Sequence, residues 1–367
     1  MRIALLVPTL EIGGVERVFA NLARGLHQLG AEVDLVVGTA GGDMGRDLEN
    51  GIRCFDLESR RMLASVPKLA RYLRERQPEA LIAAMTHCSA AAVMARALAH
   101  SKVKIVATEH NTMSKVVANT RGLKYRLMPL WSRWALGSAD HVVAVCGGVA
   151  DDLADRTGLA RAKFRVIYNP VTSDALYQAA EAPVAHPWFQ PGEPPVVLAV
   201  GRLDKQKDFP TLIRAFALVR NAKPARLLIL GEGPDRGRIE AVVREQRLTD
   251  DDVALPGFEQ NPYRFMKRAA VFALSSAWEG FGVVLVEALA LGTPVVSTDC
   301  TYGPAEILCG GKYGTLVPVG DHEAMARALL RTLENPARKT ADCVEQFTIR
   351  NVASQYLSLM TQSNSEK

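Results

Sequence analysis

The sequence predicts an α/β chain made of two doubly wound parallel-sheet domains. Short apolar strands alternate with amphipathic helices in two separate series, the strands are nearly continuous runs of Val, Ile, Leu and Ala, and 367 residues exceed what one core supports. A proline-rich stretch divides the two series.

Taken in order, Arg2 to Pro8 reads as a buried strand, Gly13-Gly14 as a turn, Val15 to Leu29 as an amphipathic helix ended by Gly30, and Glu32 to Val37 as a second strand. The pattern recurs at Ala80 to Ala84 with a helix over Ala90 to Ala99, at Lys104 to Thr108, and at His141 to Val145. Between Ala175 and Pro195 five prolines surround Gly192 and no periodicity survives, which marks an interdomain linker. The second series opens with the strand Val196 to Val200 and a helix from Thr211. It continues with Arg226 to Leu230, a helix from Arg236, strands near Val253 and over Ala270 to Leu274, and a strand Pro294 to Thr298. A helix follows near Glu323 to Leu333, and Val344 to Met360 reads as a helical tail. The expected boundaries are a first domain over 1–178, a linker over 179–195, a second domain over 196–343 and a C-terminal helix over 344–362.

The second series is organised around Ser276-Ala277-Trp278-Glu279-Gly280-Phe281-Gly282, a loop that enters a helix carrying Glu287 and ending at Gly292 and Pro294. A helix N-terminus offers unpaired N–H groups and a positive dipole end to an anion. Glu279 and Glu287, eight positions apart, suit two polyol groups along one elongated ligand. Glutamates at this spacing also occur on helices that bind nothing, and both readings stay open at this point.

Composition narrows the function classes. No run approaches the eighteen apolar residues that would cross a bilayer. The apolar start Ile3 to Val7 lacks a cleavage site and reads as a strand, not a leader. Six cysteines without a Cys-x-x-Cys pair favour reduced thiols in a cytosol over a disulfide framework or a zinc site. Of the net charge of +5, residues 1–180 carry +6 and the remainder −1.

Several motifs end strands. Gly13-Gly14 lets backbone approach a phosphate, although such turns are ordinary loops more often than not. Gly201-Arg202-Leu203-Asp204-Lys205-Gln206-Lys207 puts cations at a strand's carboxyl end, where arginine forks across phosphate oxygens and lysine acts as a point charge. Gly231-Glu232-Gly233 misses the dinucleotide fingerprint, because the third glycine comes one place late and Asp250 to Asp252 precede the next strand instead of ending it. That argues against a nicotinamide enzyme and against a metal at those aspartates. Glu109-His110-Asn111 places His110 at the mouth of the first domain, and Asn169-Pro170 marks a turn on the same face. Residues 110–139 contain no acid; Lys124, Arg126 and Arg133 interleave with Trp131 and Trp134. This pattern suits an interfacial helix on anionic lipid, or equally a half-buried helix with its tryptophans in the core. Nucleic acid is a poorer partner, since no recognised binding motif accompanies the charge.

In order and spacing, Gly-Gly-Val-Glu-Arg, Glu-His-Asn, Asn-Pro-Val, Gly-Arg-Leu with Lys207, Gly-Glu-Gly, Glu-Gly-Phe-Gly with Glu287, and Ser297-Thr298-Asp299-Cys300 before Gly303-Pro304 resemble glycosyltransferase family 4 across nearly the whole chain. The resemblance implies a GT-B fold, two Rossmann-like domains with a cleft between them, and a C-terminal helix crossing back to the first domain. It implies Arg202 and Lys207 on the donor diphosphate with the backbone of Gly14, Glu279 on the transferred sugar beside Phe281 and Gly282, Glu287 on the ribose, and His110 near the reacting centre. Gly201, Gly231, Gly233, Gly257 and Phe258 would border the nucleotide. Gly282 stands where many members have proline, and Cys146 where serine is common.

The activity so implied is metal-independent, retaining transfer of a hexose or N-acetylhexosamine from a nucleotide sugar, expected to be UDP-linked, to a lipid-linked glycan in surface-polysaccharide assembly. No cofactor beyond that co-substrate is expected. Lys124, Arg126, Trp131 and Arg133 would form an acceptor or membrane surface on the cytoplasmic face. A transferase for a soluble acceptor, a GT-B sugar-nucleotide epimerase and a non-catalytic nucleotide-binding module remain the alternatives.

Overall fold

A computed structural model describes residues 1–10, 13–40, 51–120, 122, 126–335 and 342–361. It separates into two compact units, Met1–Val171 with Gln346–Lys367, and Thr172–Glu345.

The first unit runs β1 (Arg2–Thr9), α1 (Gly14–Gln28), β2 (Glu32–Thr39), β3 (Arg53–Asp56), α2 (Val66–Arg76), β4 (Ala80–Ala84), α3 (Met85–Ala99), β5 (Lys104–Glu109), α4 (Met113–Asn119), α5 (Met128–Gly137), β6 (His141–Ala144), α6 (Gly147–Thr157) and β7 (Phe164–Val166). Its seven strands lie in the order β3-β2-β1-β4-β5-β6-β7, every described pairing parallel. Parallel strands need crossovers that cover both faces, so the middle of β1 is apolar and Ile3 to Val7 are fully buried. Helix α1 buries Val18, Phe19, Leu22, Ala23 and Leu26, one stripe at helical spacing.

The second unit runs α7 (Asp174–Glu181), β8 (Val196–Val200), α8 (Phe209–Ala222), β9 (Arg226–Leu230), α9 (Arg236–Glu245), β10 (Val253–Gly257), α10 (Tyr263–Arg268), β11 (Val271–Leu274), α11 (Val283–Ala290), β12 (Val295–Thr298), α12 (Pro304–Ile307), β13 (Thr315–Val317) and α13 (His322–Glu334). Its six parallel strands follow the order β10-β9-β8-β11-β12-β13.

In both sheets the chain winds outward from a central strand and then restarts on that strand's other side. The reversals fall between β1 and β4 and between β8 and β11. Crossovers leave in opposite directions there, so a crevice opens at the carboxyl ends of those strands.

The stretch read as a linker lies in the second unit. Ala180 is buried at the end of α7, whose carbonyls Ala179 and Ala180 accept bonds from Asn261 and Arg268. Trp188 is buried too, with the Arg226 guanidinium 5.1 Å over its ring. The prolines end regular structure without detaching the chain, and the units part instead at Val171/Thr172 and Glu345/Gln346.

The C-terminal helix Ile349–Thr361 packs on α1 within the first unit. A Cβ at Gly25 would lie 2.6 Å from Ile349 Cγ2 and 2.8 Å from the Ile349 carbonyl oxygen. The Lys104 ammonium closes the far end of the helix on the Met360 carbonyl at 2.7 Å. Gly25→Val therefore pushes this helix off α1. The expected cost is about 1–3 kcal/mol in urea unfolding, with faster amide exchange over Ile349–Thr361; unchanged exchange there would refute the contact.

Candidate functional site

In the second unit, the loops after β8 and β11 meet at the strand-order reversal. Gly201 follows β8 and donates its N–H to the Leu230 carbonyl at 3.0 Å, and Leu203 donates to the Glu232 carbonyl at 3.0 Å. The backbones approach so closely that a Cβ at Gly231 would lie 2.0 Å from the Gly201 oxygen, and one at Gly233 2.3 Å from the Leu203 oxygen. These two glycines join loop to loop.

The loop after β8 is also tied to the loop after β11. Ala277 donates its N–H to the Gln206 carbonyl at 2.8 Å, and the Ser275 hydroxyl donates to the Lys207 carbonyl at 2.7 Å. This lacing brings Lys207 against Glu279. The ammonium lies 2.6 Å from Glu279 Oε1, the Ser276 hydroxyl donates to the same oxygen at 2.6 Å, and the Gln206 amide reaches Oε2 at 3.3 Å. Glu279 is only 5% exposed, so this charge is buried against a cation and two neutral donors. The resemblance assigned Lys207 to diphosphate and Glu279 to sugar, whereas the fold makes them one ion pair.

Arg202 is exposed on the same loop, and its side chain has no ion pair among the described residues. Glu287, 1% exposed, sits on α11 and accepts from the Tyr263 hydroxyl at 3.2 Å. Gly282 caps α11 with φ +98°, a conformation closed to proline. Gly257 ends β10 at φ +100°, and Phe258 beyond it is 57% exposed, leaving an aromatic face open to solvent. The neighbouring Cys300 thiol is pushed up to about 12, by burial first and by the Glu279 charge second, so it is a thiol at neutral pH.

The first unit holds the remaining candidates. Gly13 caps α1, and a Cβ there would meet Glu16 Oε2 at 2.2 Å. The Glu16 carboxylate thus occupies the N-terminal end of the helix, the place expected for a phosphate near Gly14. His110 is buried, contrary to its expected projection at the mouth of the domain: its Nε2 is 3.0 Å from the Thr108 hydroxyl and its ring packs 5.7 Å from Phe19. Burial pushes it down to about 4, opposed by a hydrogen bond with Asn169, so it is a neutral imidazole at pH 7.

Glu109 was passed over in the sequence reading. It ends β5 and lines a cavity of about 330 Å3 with Met85, Thr86, Met113, Met128 and Trp131. Burial pushes its carboxyl up to about 7, opposed by the bond that Thr86 Oγ1 donates at 2.7 Å. A carboxylate directly beside a candidate histidine at a strand's end was the signal available.

The basic aromatic segment forms helix α5, with Trp131 and Trp134 partly exposed and their rings 4.9 Å apart. Arg126 is exposed, but Arg133 donates to the Thr157 carbonyl at 2.8 Å and closes the end of α6. Lys124 lies outside the described residues. Among those residues, no three metal-binding side chains cluster and no helix is long and apolar enough to cross a membrane.

The family model for Glycosyltransferase Family 4 matches residues 12–175, and that for Glycosyl transferases group 1 matches residues 186–348. The chain belongs to the glycosyltransferases of the family 4 type. It is 32% identical, over 60% of its own length and 60% of the relative's, to a Campylobacter jejuni enzyme named N-acetylgalactosamine-N,N'-diacetylbacillosaminyl-diphospho-undecaprenol 4-alpha-N-acetylgalactosaminyltransferase. That match spans less than two thirds of the relative. A lipopolysaccharide core biosynthesis glycosyltransferase of Rhizobium meliloti, LpsE, is 26% identical over 95% of this chain and 96% of its own. The crystal structure of Anabaena Alr3699/HepE in complex with UDP and glucose superimposes with a TM-score of 0.78 at 19% identity, covering 99% of this chain and 100% of that one. The two α/β units are those of the GT-B fold.

The Glu109 carboxyl has a titration that unfolding can read. A carboxyl raised in the folded state contributes stability that is present below its unfolded value of 4.5 and lost as pH rises towards 7. Glu109→Gln removes that loss. Its advantage over the parent in urea unfolding should be near zero below pH 4.5 and grow to at most about 3 kcal/mol at pH 8; an offset independent of pH would contradict it.

Proposed function

We propose that this protein is a retaining glycosyltransferase that moves a hexose or N-acetylhexosamine from a UDP-sugar to a lipid-linked glycan. The observation that carries the reading is the β8/β11 reversal, where Arg202 and the Lys207–Glu279 pair stand at the ends of two adjacent strands and Glu287 follows on helix α11. Such a set suits a ligand that is anionic in the middle and polyhydroxylated on both sides of the charge.

Exposed Arg202 takes the diphosphate bidentately. Glu279 accepts from sugar hydroxyls while Lys207 and Ser276 hold its carboxylate in place, and Lys207 shares its remaining donors with a phosphate oxygen. Glu287 accepts from the ribose hydroxyls, and exposed Phe258 offers a face to the base. As the bond from the anomeric carbon to the phosphate oxygen breaks, charge grows on the leaving diphosphate, where fixed cations lower the barrier most. The acceptor oxygen bonds to the anomeric carbon on the same face and its proton passes to the departing phosphate oxygen. The cationic residues make a metal dispensable in this scheme.

The names of the relatives support the substrate class. The Campylobacter jejuni relative is named for a diphospho-undecaprenol acceptor, LpsE for lipopolysaccharide core, and HepE is described with UDP and glucose. The exposed Arg126, Trp131 and Trp134 suit a peripheral position on an anionic membrane at the cytoplasmic face.

Titration calorimetry with UDP tests the donor site. UDP should bind equally with and without EDTA, and Arg202→Ala and Glu287→Ala should each weaken it by about 10-fold to 100-fold, the range of a lost charged hydrogen bond. Unchanged UDP affinity in both variants would remove the assignment. Pelleting with anionic vesicles addresses the acceptor side: the parent should pellet, and Arg126→Ala with Trp131→Ala should release it into the supernatant at a UDP affinity that stays the same; a parent that never pellets would favour a soluble acceptor.

A further inference from the structure

We propose that Cys309 and Cys343 form a dithiol modification site, converted to an intramolecular disulfide by small anionic disulfides such as oxidised glutathione. Thirty-four positions separate them, so no Cys-x-x-Cys spacing announces the pair. The fold of the second unit brings them together.

Cys309 is exposed on the turn that follows α12, with φ +49°. Cys343 is half-buried in the 3-10 turn Asp342–Phe347, and the nearby Cys309 thiol helps to keep its proton on. A second contact fixes the approach: the Cys343 thiol lies 3.6 Å from the carbonyl of Ile307, the last residue of α12. The Lys312 ammonium lies within electrostatic reach of Cys309 and Asp342 and packs 4.7 Å over the Tyr313 ring. It puts positive charge where an anionic disulfide would approach.

Exposure divides the two roles. The Cys309 thiol gives its proton to solvent and its sulfur attacks one sulfur of the small disulfide, forming a mixed disulfide as the small S–S bond breaks; the expelled thiolate takes a proton back from solvent. Burial pushes the Cys343 thiol up to about 11, so it stays protonated until that step. Its proton then passes to the departing thiolate as its sulfur attacks Cys309 and releases the second small thiol. Two protein thiols and one small disulfide become one protein disulfide and two small thiols. Of the other described cysteines, Cys88, Cys146 and Cys300 are buried, and only Cys54 is also exposed. The inference is independent of the proposed transfer reaction.

The experiment treats the reduced full chain with oxidised glutathione, counts free thiols, and maps peptides without reduction. The Cys54→Ser background excludes the other exposed thiol, and thermal melts confirm that each serine variant folds. The Cys54→Ser protein should lose two thiols, retain no glutathione and yield a peptide joined through Cys309 and Cys343. Adding Cys343→Ser should leave one stable glutathionyl group on Cys309, and adding Cys309→Ser should leave Cys343 unmodified. A persistent glutathione adduct on Cys309 with Cys343 intact, or equally fast reaction of Cys343 without Cys309, would overturn the proposal.

Discussion

Parallel pairing is the constraint from which the rest follows. Parallel neighbours cannot be joined by a hairpin, so each strand is followed by a crossover, and the loops that leave the strands' carboxyl ends gather along one edge of the sheet. In each unit the order reverses once, beside β1 in the first and beside β8 in the second. The candidate residues of the second unit stand on loops at that edge, except Gly257, which ends β10, and Glu287. Glu287 is carried there by the helix entered from the loop after β11.

What turns a gathering of loops into a site is how little room is left between them. Gly231 and Gly233 exist because the backbone of Gly201 to Leu203 passes where a side chain would start. Once the loops are laced by Ala277, Ser275 and Gln206, Lys207 has no nearer partner than Glu279. A buried carboxylate with one cation and two hydrogen-bond donors has little freedom to turn, which suits a group that must hold sugar hydroxyls in one orientation. In the first unit the same economy appears as neutral burial: His110 and Glu109 are neighbours whose charged forms are both disfavoured.

The basic aromatic segment shows how one motif separates into different uses. Trp131 is shared between surface and cavity, Arg126 points to solvent, and Arg133 spends its guanidinium on a helix end. Equal charge in a sequence does not imply equal availability. The same holds for cysteine, since four of the six thiols are buried or half-buried and the two near each other come from distant parts of the chain.

Much of this was legible in the residues alone. Continuous apolar runs such as Ile3 to Val7 and Leu227 to Leu230 identify parallel strands because only such strands are covered on both faces, and the helical stripe of α1 follows from spacing. The loop Glu279 to Gly282 and the cationic loop after β8 could be placed at strand ends for the same local reason. Edge strand β3 and helix α2 went unread, the first being too short and too exposed to show a pattern. Buried Asp34, held by Tyr72, Arg53 and Arg76, was equally silent, because its partners are 19 to 42 positions away. Local periodicity therefore determined the elements and their class. Only tertiary structure decided that Lys207 pairs with Glu279, that His110 and Glu109 are buried, and that the prolines of 179–195 lie within the second unit, because contact across the chain and exclusion of water are properties of the packed molecule.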